Sequence, residues 1–164
     1  MIHFYDTFST PFGDFSVATD FDAAVIATAF GGVDELKTRF DADELKRDPD
    51  RIAPVRRQIL AYFDGELDDF HLTLAPAGTD FQKKVWTALR QIPPGQTSTY
   101  AELGLKIGRP GSARAVGRAN ATNPICLIIP CHRVIGADGS LTGFAFGEDI
   151  KRRLLDHEGA LIAS

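Results

Sequence analysis

The apolar residues of this 164-residue chain have strand-like spacing near its start and helical spacing through most of its second half. In the first 30 residues they alternate with other residues, as at Phe15, Val17 and Thr19, and a turn at residues 11–13 interrupts the pattern. Alternation of this kind is typical of β-strands with one buried face. Beyond residue 79 the spacing becomes three or four, which is typical of amphipathic helices. The chain is therefore predicted to have an α+β fold, with a sheet first and helices after it.

Within the first half, residues 33–40 and 55–63 have helical spacing, and the second of these helices is expected to begin after Pro54. Residues 70–74 alternate again and predict one more strand. Small residues around Pro76 then indicate a linker. We therefore expect two domains, residues 1–75 and residues 79–164.

The second half opens with a capping-box pattern, Thr79 followed by Gln82, which predicts a helix that ends before residues 93–95. A short helix over residues 100–107 and another over 113–121, capped by Ser112, are separated by a glycine-containing turn. Two short helices joined in this way have the outline of a helix-turn-helix.

After these helices, residues 125–129 are entirely apolar and predict a buried strand that leads to Cys131. A glycine-rich loop over residues 136–147 follows, and then a final helix over residues 148–157 that Gly159 ends.

The net charge of −4 hides a difference between the two halves. Residues 1–78 hold 15 acidic and 7 basic side chains, a balance of −8, whereas residues 79–164 hold 7 and 11, a balance of +4. Phosphate contacts require Lys and Arg. Either this is ordinary variation of surface charge, or the C-terminal half alone is suited to nucleic acid.

The two cysteines, Cys126 and Cys131, do not have the spacing of a zinc or redox motif, so we expect no metal and no cofactor. The N-terminus lacks the pattern of a secretory signal, and no segment is apolar and long enough to span a membrane. These features predict an intracellular protein, cytoplasmic or, in a eukaryote, nuclear, with reduced thiols.

Cys131 is followed by the basic pair His132-Arg133, whose charge would favour a nucleophilic thiolate. A small buried cysteine is the other interpretation, and it is the one we adopt for Cys126. If the backbone here is extended, His132 points away from Cys131, so that water or a turn would have to connect them. Glu158 could orient His132 or could be a surface residue at the end of a helix.

Arg114 and Arg118 lie one helical turn apart among small side chains. Such a face could approach a nucleic-acid backbone closely, or it could be an ordinary solvated surface.

These residues together resemble a known family. The stretches Arg114-Ala-Val-Gly, Asn123-Pro, Ile-Pro-Cys131-His-Arg-Val-Ile and Leu-Leu-Asp-His-Glu158-Gly are similar to those of the methylated-DNA–protein-cysteine methyltransferases, the O6-alkylguanine-DNA alkyltransferases. The similarity is specific over residues 79–160 and weaker over residues 1–75. It implies a ribonuclease-H-like sheet-plus-helix domain of structural role, followed by a mostly helical domain with a helix-turn-helix.

The resemblance also implies a function: a monomer flips O6-alkylguanine, and also O4-methylthymine, out of duplex DNA and transfers the alkyl group irreversibly to Cys131, once per chain. His132 and Glu158 would activate Cys131 through water, Asn123 would brace the turn, and Tyr100 would contact the flipped nucleotide. Arg114 would fill the gap in the duplex, on a helix that enters the minor groove. The implied DNA-binding residues are Ser112, Ala113, Arg114, Ala115, Gly117 and Arg118. The implied pocket residues are Tyr100, Val134, Phe144, Ala145 and Phe146.

Phe144 and Phe146 depart from the family pattern, in which tyrosine and glycine are common at these positions. The shape of the pocket is therefore expected to differ from that of other family members. Three other functions make different demands on the chain. A non-catalytic alkyltransferase-like protein that recruits repair factors would lack Cys131, a cysteine hydrolase would need a device for turnover, and a transcription factor would bind unmodified DNA sequence-specifically.

Overall fold

The computed structural model describes residues 1–160 and divides the chain into two compact units at residues 77 and 78. Residues 161–164, the end of the predicted C-terminal domain, lie outside the described residues. The first unit contains the sheet and the second is mostly helical, which confirms the predicted α+β class.

A four-stranded sheet forms the first unit. β1 (Ile2–Thr10), β2 (Gly13–Thr19) and β3 (Val25–Phe30) are antiparallel neighbours, as the alternating pattern predicts. A fourth strand, β4 (Glu44–Arg47), pairs in parallel with β1 and gives the order β3-β2-β1-β4. β4 was not predicted, because its sequence Glu-Leu-Lys-Arg has only one apolar residue.

Two helices accompany the sheet. α1 spans Val33–Lys37 and is shorter than predicted. α2 spans Pro49–Phe63, so the prediction that it begins after Pro54 is wrong. The Asp48 side chain caps the helix by accepting a hydrogen bond from the Arg51 backbone N–H, and Pro49 suits the first turn. Pro54 removes one backbone donor, but the buried face of α2 packs on β1 and β2 and holds the helix together.

The strand predicted over residues 70–74 does not form. Only Leu74 makes a bridge, to Val25. The backbone of His71 is instead hydrogen-bonded to the Gln58 side chain, which accepts from its N–H at 2.9 Å and donates to its carbonyl at 3.1 Å. Side-chain hydrogen bonds thus occupy groups that a strand partner would need.

The second unit contains α3 (Asp80–Leu89), α4 (Tyr100–Lys106), α5 (Ala113–Ala121) and α6 (Glu148–His157). The predicted capping box of Thr79 and Gln82 is present. α4 and α5 pack on each other, joined by a turn that contains two glycines in left-handed conformation. Ser112 stands at the N-cap of α5, but its hydroxyl donates to the Arg109 carbonyl at 2.5 Å and does not cap the helix as predicted.

Two short strands, β5 (Ser98–Thr99) and β6 (Val134–Ile135), pair in parallel and bring the start of α4 beside the segment that follows Cys131. Residues 125–129 are buried as predicted, but they form a tight turn and not a strand. The Ile129 N–H donates back to the Ile125 carbonyl at 2.9 Å, and Leu127 has a φ of +72°. Cys131–Arg133 then form one turn of 3-10 helix.

Candidate active site

Asn123 holds the turn that precedes Cys131. Its side-chain oxygen accepts from the Ile125 N–H at 3.0 Å, and its amide donates to the Ile129 carbonyl at 2.9 Å. The two bonds close the apolar loop across its ends, and they compensate for the left-handed conformation of Leu127 inside it. Asn123 thereby fixes the direction from which the chain enters the Cys131–Arg133 turn.

Cys131 is buried, with 4% of its surface exposed. Its carbonyl accepts a hydrogen bond from the Asn120 amide of α5 at 3.2 Å. Because Cys131 starts a 3-10 turn, the backbone here is not the extended one that would point His132 away from Cys131. The thiol therefore has a rigid backbone position that α5 helps to fix.

His132 and Arg133 both contact Glu158, which ends α6. His132 Nε2 lies 2.8 Å from Glu158 Oε2, and the Arg133 guanidinium donates to both carboxylate oxygens at 2.8 and 2.9 Å. A further Arg133 nitrogen donates to the Ile92 carbonyl at 2.7 Å. Glu158 is thus a buried residue of the network and not a surface residue.

The charges in this network follow from burial and hydrogen bonding. Burial raises the pKa of Glu158, but the bonds from His132 and Arg133 and the Arg133 charge outweigh it and hold that pKa well below its usual range. Burial lowers the pKa of His132, against the effect of Glu158, so the imidazole is neutral at pH 7. A carboxylate can only accept, so Nε2 carries the hydrogen and Nδ1 is the basic nitrogen. Nδ1 has no hydrogen-bond partner among the described residues.

Tyr100, the first residue of α4, lies against the loop between β6 and α6. Its hydroxyl donates to the Thr142 carbonyl at 3.1 Å. Gly143 has a φ of +88°, and a Cβ there would come within 2.9 Å of the hydroxyl, so the loop requires glycine at this position. Burial and the nearby Cys131 thiolate raise the pKa of Tyr100, so it stays a phenol.

The other loop residues named from the sequence differ in exposure. Val134 and Phe144 are buried, Ala145 is exposed and Phe146 is half-buried. The rings of Phe144 and Phe146 meet edge to face, with centroids 5.8 Å apart. Phe146 therefore packs the edge or face of its ring against Phe144.

The outer face of α5 is suited to an external partner. Arg114 and Arg118 are exposed, and neither side chain makes a hydrogen bond or an ion pair within residues 1–160. Between them lie the small residues Ala115 and Gly117. The opposite side of the helix is fixed, since Trp86 Nε1 donates to the Ala119 carbonyl at 2.8 Å. The basic face of this helix and the Cys131 turn belong to the same unit.

The sequence did not assign Asn120 or Lys151 to the site. It also did not reveal the structural role of Arg133 there. For Lys151 a signal existed, because residues 151, 154, 155 and 158 have the spacing of one helix face. Leu154 and Leu155 on that face are fully buried, and Lys151 is buried with them. For Asn120 and Arg133, the partners lie too far away in the sequence for any local pattern to reveal them.

No helix within residues 1–160 combines the length and apolar character needed to cross a membrane. The same residues contain no group of three or more His, Cys, Asp or Glu side chains arranged to hold a metal ion.

A buried cysteine beside an ordered His–Glu–Arg network, in a unit with a basic helix-turn-helix, defines a class of protein with a candidate cysteine nucleophile and a surface that can approach a polyanion. Comparison with known proteins identifies the family. Residues 80–160 match the family model described as "6-O-methylguanine DNA methyltransferase, DNA binding domain". A methylated-DNA–protein-cysteine methyltransferase of Methanosarcina acetivorans is 45% identical over 157 residues, which cover 96% of this chain and 99% of that protein.

Solved structures agree with these relatives. The crystal structure of Mycobacterium tuberculosis OGT in complex with DNA has 40% identity and a TM-score of 0.86, over 95% of this chain and 92% of that one. The O6-methylguanine methyltransferase of the same organism has 41% identity and a TM-score of 0.85, over 96% and 93%. The chain belongs to the methylated-DNA–protein-cysteine methyltransferase family, which confirms the resemblance seen in its sequence.

Proposed function

We propose that this chain repairs DNA by transferring the alkyl group of O6-alkylguanine to its own Cys131. The observation that carries the proposal is the position of Cys131, directly before a neutral buried histidine that a fixed carboxylate orients. Family membership supports the same substrate, since relatives bear the name methylated-DNA–protein-cysteine methyltransferase. O4-methylthymine presents a similar alkyl ether, and we include it in the proposed substrate range.

The proposed chemistry is a displacement at carbon. His132 Nδ1 takes the thiol proton through a water molecule, and the Cys131 thiolate forms a bond to the alkyl carbon. The bond from that carbon to O6 breaks, its electron pair stays with guanine, and guanine takes up one proton. Glu158, held by Arg133, keeps His132 in the tautomer that can accept.

The product explains why we propose a single turnover. A thioether is a poor leaving group at neutral pH, so Cys131 cannot easily be regenerated by hydrolysis. Cys126, the other cysteine, lies in the buried turn that Asn123 closes and is given a structural role in this proposal. Each chain therefore acts once.

The target base lies inside the duplex stack, so the proposed reaction requires the nucleotide to be flipped out. We assign Arg114 to the gap that the flipped base leaves, because its side chain is exposed and unpaired within residues 1–160. The small residues of α5 would let the helix enter the narrow minor groove, with Arg118 on a phosphate. Tyr100 would contact the flipped nucleotide, and residues 134 and 144–146 would line its pocket.

All these assigned residues lie between positions 100 and 158, so we propose that one chain suffices and that it acts as a monomer. Residues 79–164 would form the DNA-binding and alkyl-transfer domain, and residues 1–75 a structural one. Because the proposed substrate is DNA, we propose that the protein acts in the cytoplasm, or in the nucleus of a eukaryote. No cofactor or metal enters the proposed chemistry.

The test is the intact mass of the protein after mixing with duplex DNA that contains O6-methylguanine. We expect one added methyl group, located at Cys131 by peptide mapping. Cys131→Ala should accept none, and Cys126→Ala, which removes the other buried thiol, should accept one. Methylation at Cys126, or repeated turnover without a change in protein mass, would refute the proposal.

A further inference from the structure

Lys151 differs from every other lysine of the chain. The other five lysines are exposed, whereas Lys151 on α6 is completely buried. Its Nζ has no hydrogen-bond partner among the described residues. A buried ammonium without a partner destabilises a fold, because it loses its hydration and gains nothing local in return. Stability therefore does not explain why Lys151 is buried.

The charged groups around Lys151 offer another explanation for its burial. α6 packs on the Cys131–Arg133 turn, and the charges that act on the Lys151 ammonium include the Cys131 thiolate and, on its own helix, Glu148. From the turn, His132 also interacts with Lys151, while Arg133 is neutralised by Glu158. From α4, Tyr100 also interacts electrostatically with Cys131. Glu148 is exposed and Glu158 is paired with Arg133, so the thiolate is the buried anion that acts on Lys151.

We propose that the Lys151 ammonium is the buried counter-ion that holds Cys131 in its thiolate form. This inference rests on the proposed function, in which Cys131 is the acceptor. Lys151 is a positioning residue in this scheme, because it acts through the sulfur and not on the alkyl group itself. The attraction is strong here because both groups are shielded from water.

The protonation of Lys151 at neutral pH supports the scheme. Burial lowers the pKa of Lys151 to about 8, against the opposing effects of Cys131 and Glu148. The side chain therefore stays mostly charged at pH 7. Its charge also helps to lower the pKa of His132, which keeps that imidazole neutral and able to accept the thiol proton.

The same pairing gives the reaction a charge balance. Before transfer the site holds one anion, the Cys131 thiolate, and two cations, Lys151 and the imidazolium that His132 becomes when it takes the thiol proton. Transfer forms the S–C bond, breaks the C–O6 bond and leaves the negative charge on guanine. Once the thioether has replaced the thiolate, the interaction that favoured the ammonium is gone. The His132 imidazolium supplies the proton that guanine takes up, and Lys151, which has lost its anion, releases its own proton more readily.

The first experiment follows alkylation of Cys131 by iodoacetamide as a function of pH, with peptide mapping to separate Cys131 from Cys126. The rate rises as the thiolate forms, and the midpoint of that rise reports its stability. In Lys151→Met the midpoint should rise by about one pH unit or more, which is about a tenfold loss of rate below the midpoint. Lys151→Arg should restore most of the loss. Lys84→Met, which removes the same charge from an exposed site, should leave the midpoint unchanged.

An unchanged midpoint in folded Lys151→Met overturns the inference. Because iodoacetamide needs no DNA, this result is independent of whether the chain repairs alkylguanine. Circular dichroism checks that the variants fold.

A second measurement keeps the test decisive if the variants do not fold. In the unaltered chain with 13C-labelled lysine, the NMR titration midpoint of Lys151 should fall after Cys131 is alkylated, while that of Lys84 stays constant. A Lys151 midpoint that does not move on alkylation overturns the inference equally.

Discussion

Each unit of the molecule contains a buried carboxylate bound by arginine, and the two differ in their surroundings. In the first unit, Asp6 on β1 accepts from Arg56 at 2.9 Å and from Arg47 at 3.2 Å. These arginine side chains are 29% and 62% exposed, so water screens the pairs. In the second unit, the side chains of Glu158 and Arg133 are only 2% and 7% exposed, and His132 is completely buried.

The two units differ in how many of their charged groups lose contact with water. In the first unit only the Asp6 carboxylate is dehydrated, because both of its arginines stay in contact with water. The second unit instead dehydrates a carboxylate, a guanidinium and an imidazole, and it adds Lys151 with no hydrogen bond within residues 1–160. Such a cluster stabilises the fold poorly. It does create a dry site of fixed charge beside Cys131, which suits electrostatic catalysis.

The largest expected effect is a difference between Glu158 and Asp6 in their influence on the rate of methyl transfer. Glu158→Gln should lower the rate of methyl transfer roughly 100-fold, because neutral Gln no longer stabilises the positive charge that His132 gains when it takes the thiol proton. Asp6→Asn should leave that rate unchanged and lower the free energy of unfolding by about 1–3 kcal/mol. Single-turnover transfer rates and urea denaturation measure the two quantities.

Both variants are studied at a temperature where circular dichroism shows them folded. Equal losses of transfer rate in the two variants would mean that both carboxylates act only through stability, and the contrast between the units would be wrong.

The second prediction concerns the free energy of unfolding, which buried Lys151 lowers. Its pKa in the folded chain is about 8, against an ordinary value of 10.5. Between these two values the unfolded chain binds a proton that the folded chain has lost, so stability rises with pH across that window. Lys151→Met should thus be more stable than the natural chain by roughly 3 kcal/mol at pH 7.

The stability difference should shrink as the pH rises from about 8 to 10.5. Urea denaturation at pH 7 and at pH 10.5 provides the measurement, with Lys84→Met as the exposed control. A difference that stays constant with pH would show that packing, and not charge, separates Lys151→Met from the natural chain.

The third prediction uses the contrast between paired and unpaired arginines. Arg114 is exposed and makes no ion pair within residues 1–160, unlike Arg47 and Arg56, so we expect it to act on DNA. Arg114→Ala should slow transfer from duplex DNA by about tenfold or more, because unstacking a base step costs a few kcal/mol. Transfer from free O6-methylguanine base should not change.

Arg118→Ala is the matched variant, one helical turn away. It should weaken binding to alkylated and normal duplexes alike and reduce the salt dependence of binding. If Arg114→Ala slows both substrates equally, then Arg114 acts on the pocket and not on the duplex.

The smallest expected effect lies in the loop. Phe146 is half-buried against Phe144, and its ring would narrow the space for a large alkyl group. Phe146→Gly should raise the rate with O6-benzylguanine relative to O6-methylguanine, by about fivefold if the ring costs about 1 kcal/mol in crowding. Second-order rates for both substrates measure the ratio. An unchanged ratio would mean that the ring packs away from the alkyl group.

Several features could be predicted because their causes lie within a few residues. The capping box of Thr79 and Gln82 satisfies backbone donors three residues apart, and the structure confirms it. The alternation in β1 and β2 and the short helices α4 and α5 follow from spacing in the same way. The motif around Cys131 was specific enough to indicate the family, which the comparisons confirm.

Other features depended on partners far away in the sequence. The alternation of residues 70–74 predicted a strand, but Gln58 occupies the backbone of His71 and only Leu74 reaches a strand partner. The apolar run over residues 125–129 carries no period that distinguishes a strand from a buried turn, and the two bonds of Asn123 decide in favour of the turn.

The chemistry of the site divides along the same line. The sequence by itself determined the nucleophile candidate, the histidine beside it and the basic face of α5, because each is a local pattern. Only the tertiary structure decided that Glu158 is ionised and paired with Arg133, and that Lys151 is buried without a hydrogen bond. Burial and pairing set these charges, and both depend on which elements pack together and not on the spacing of residues along the chain.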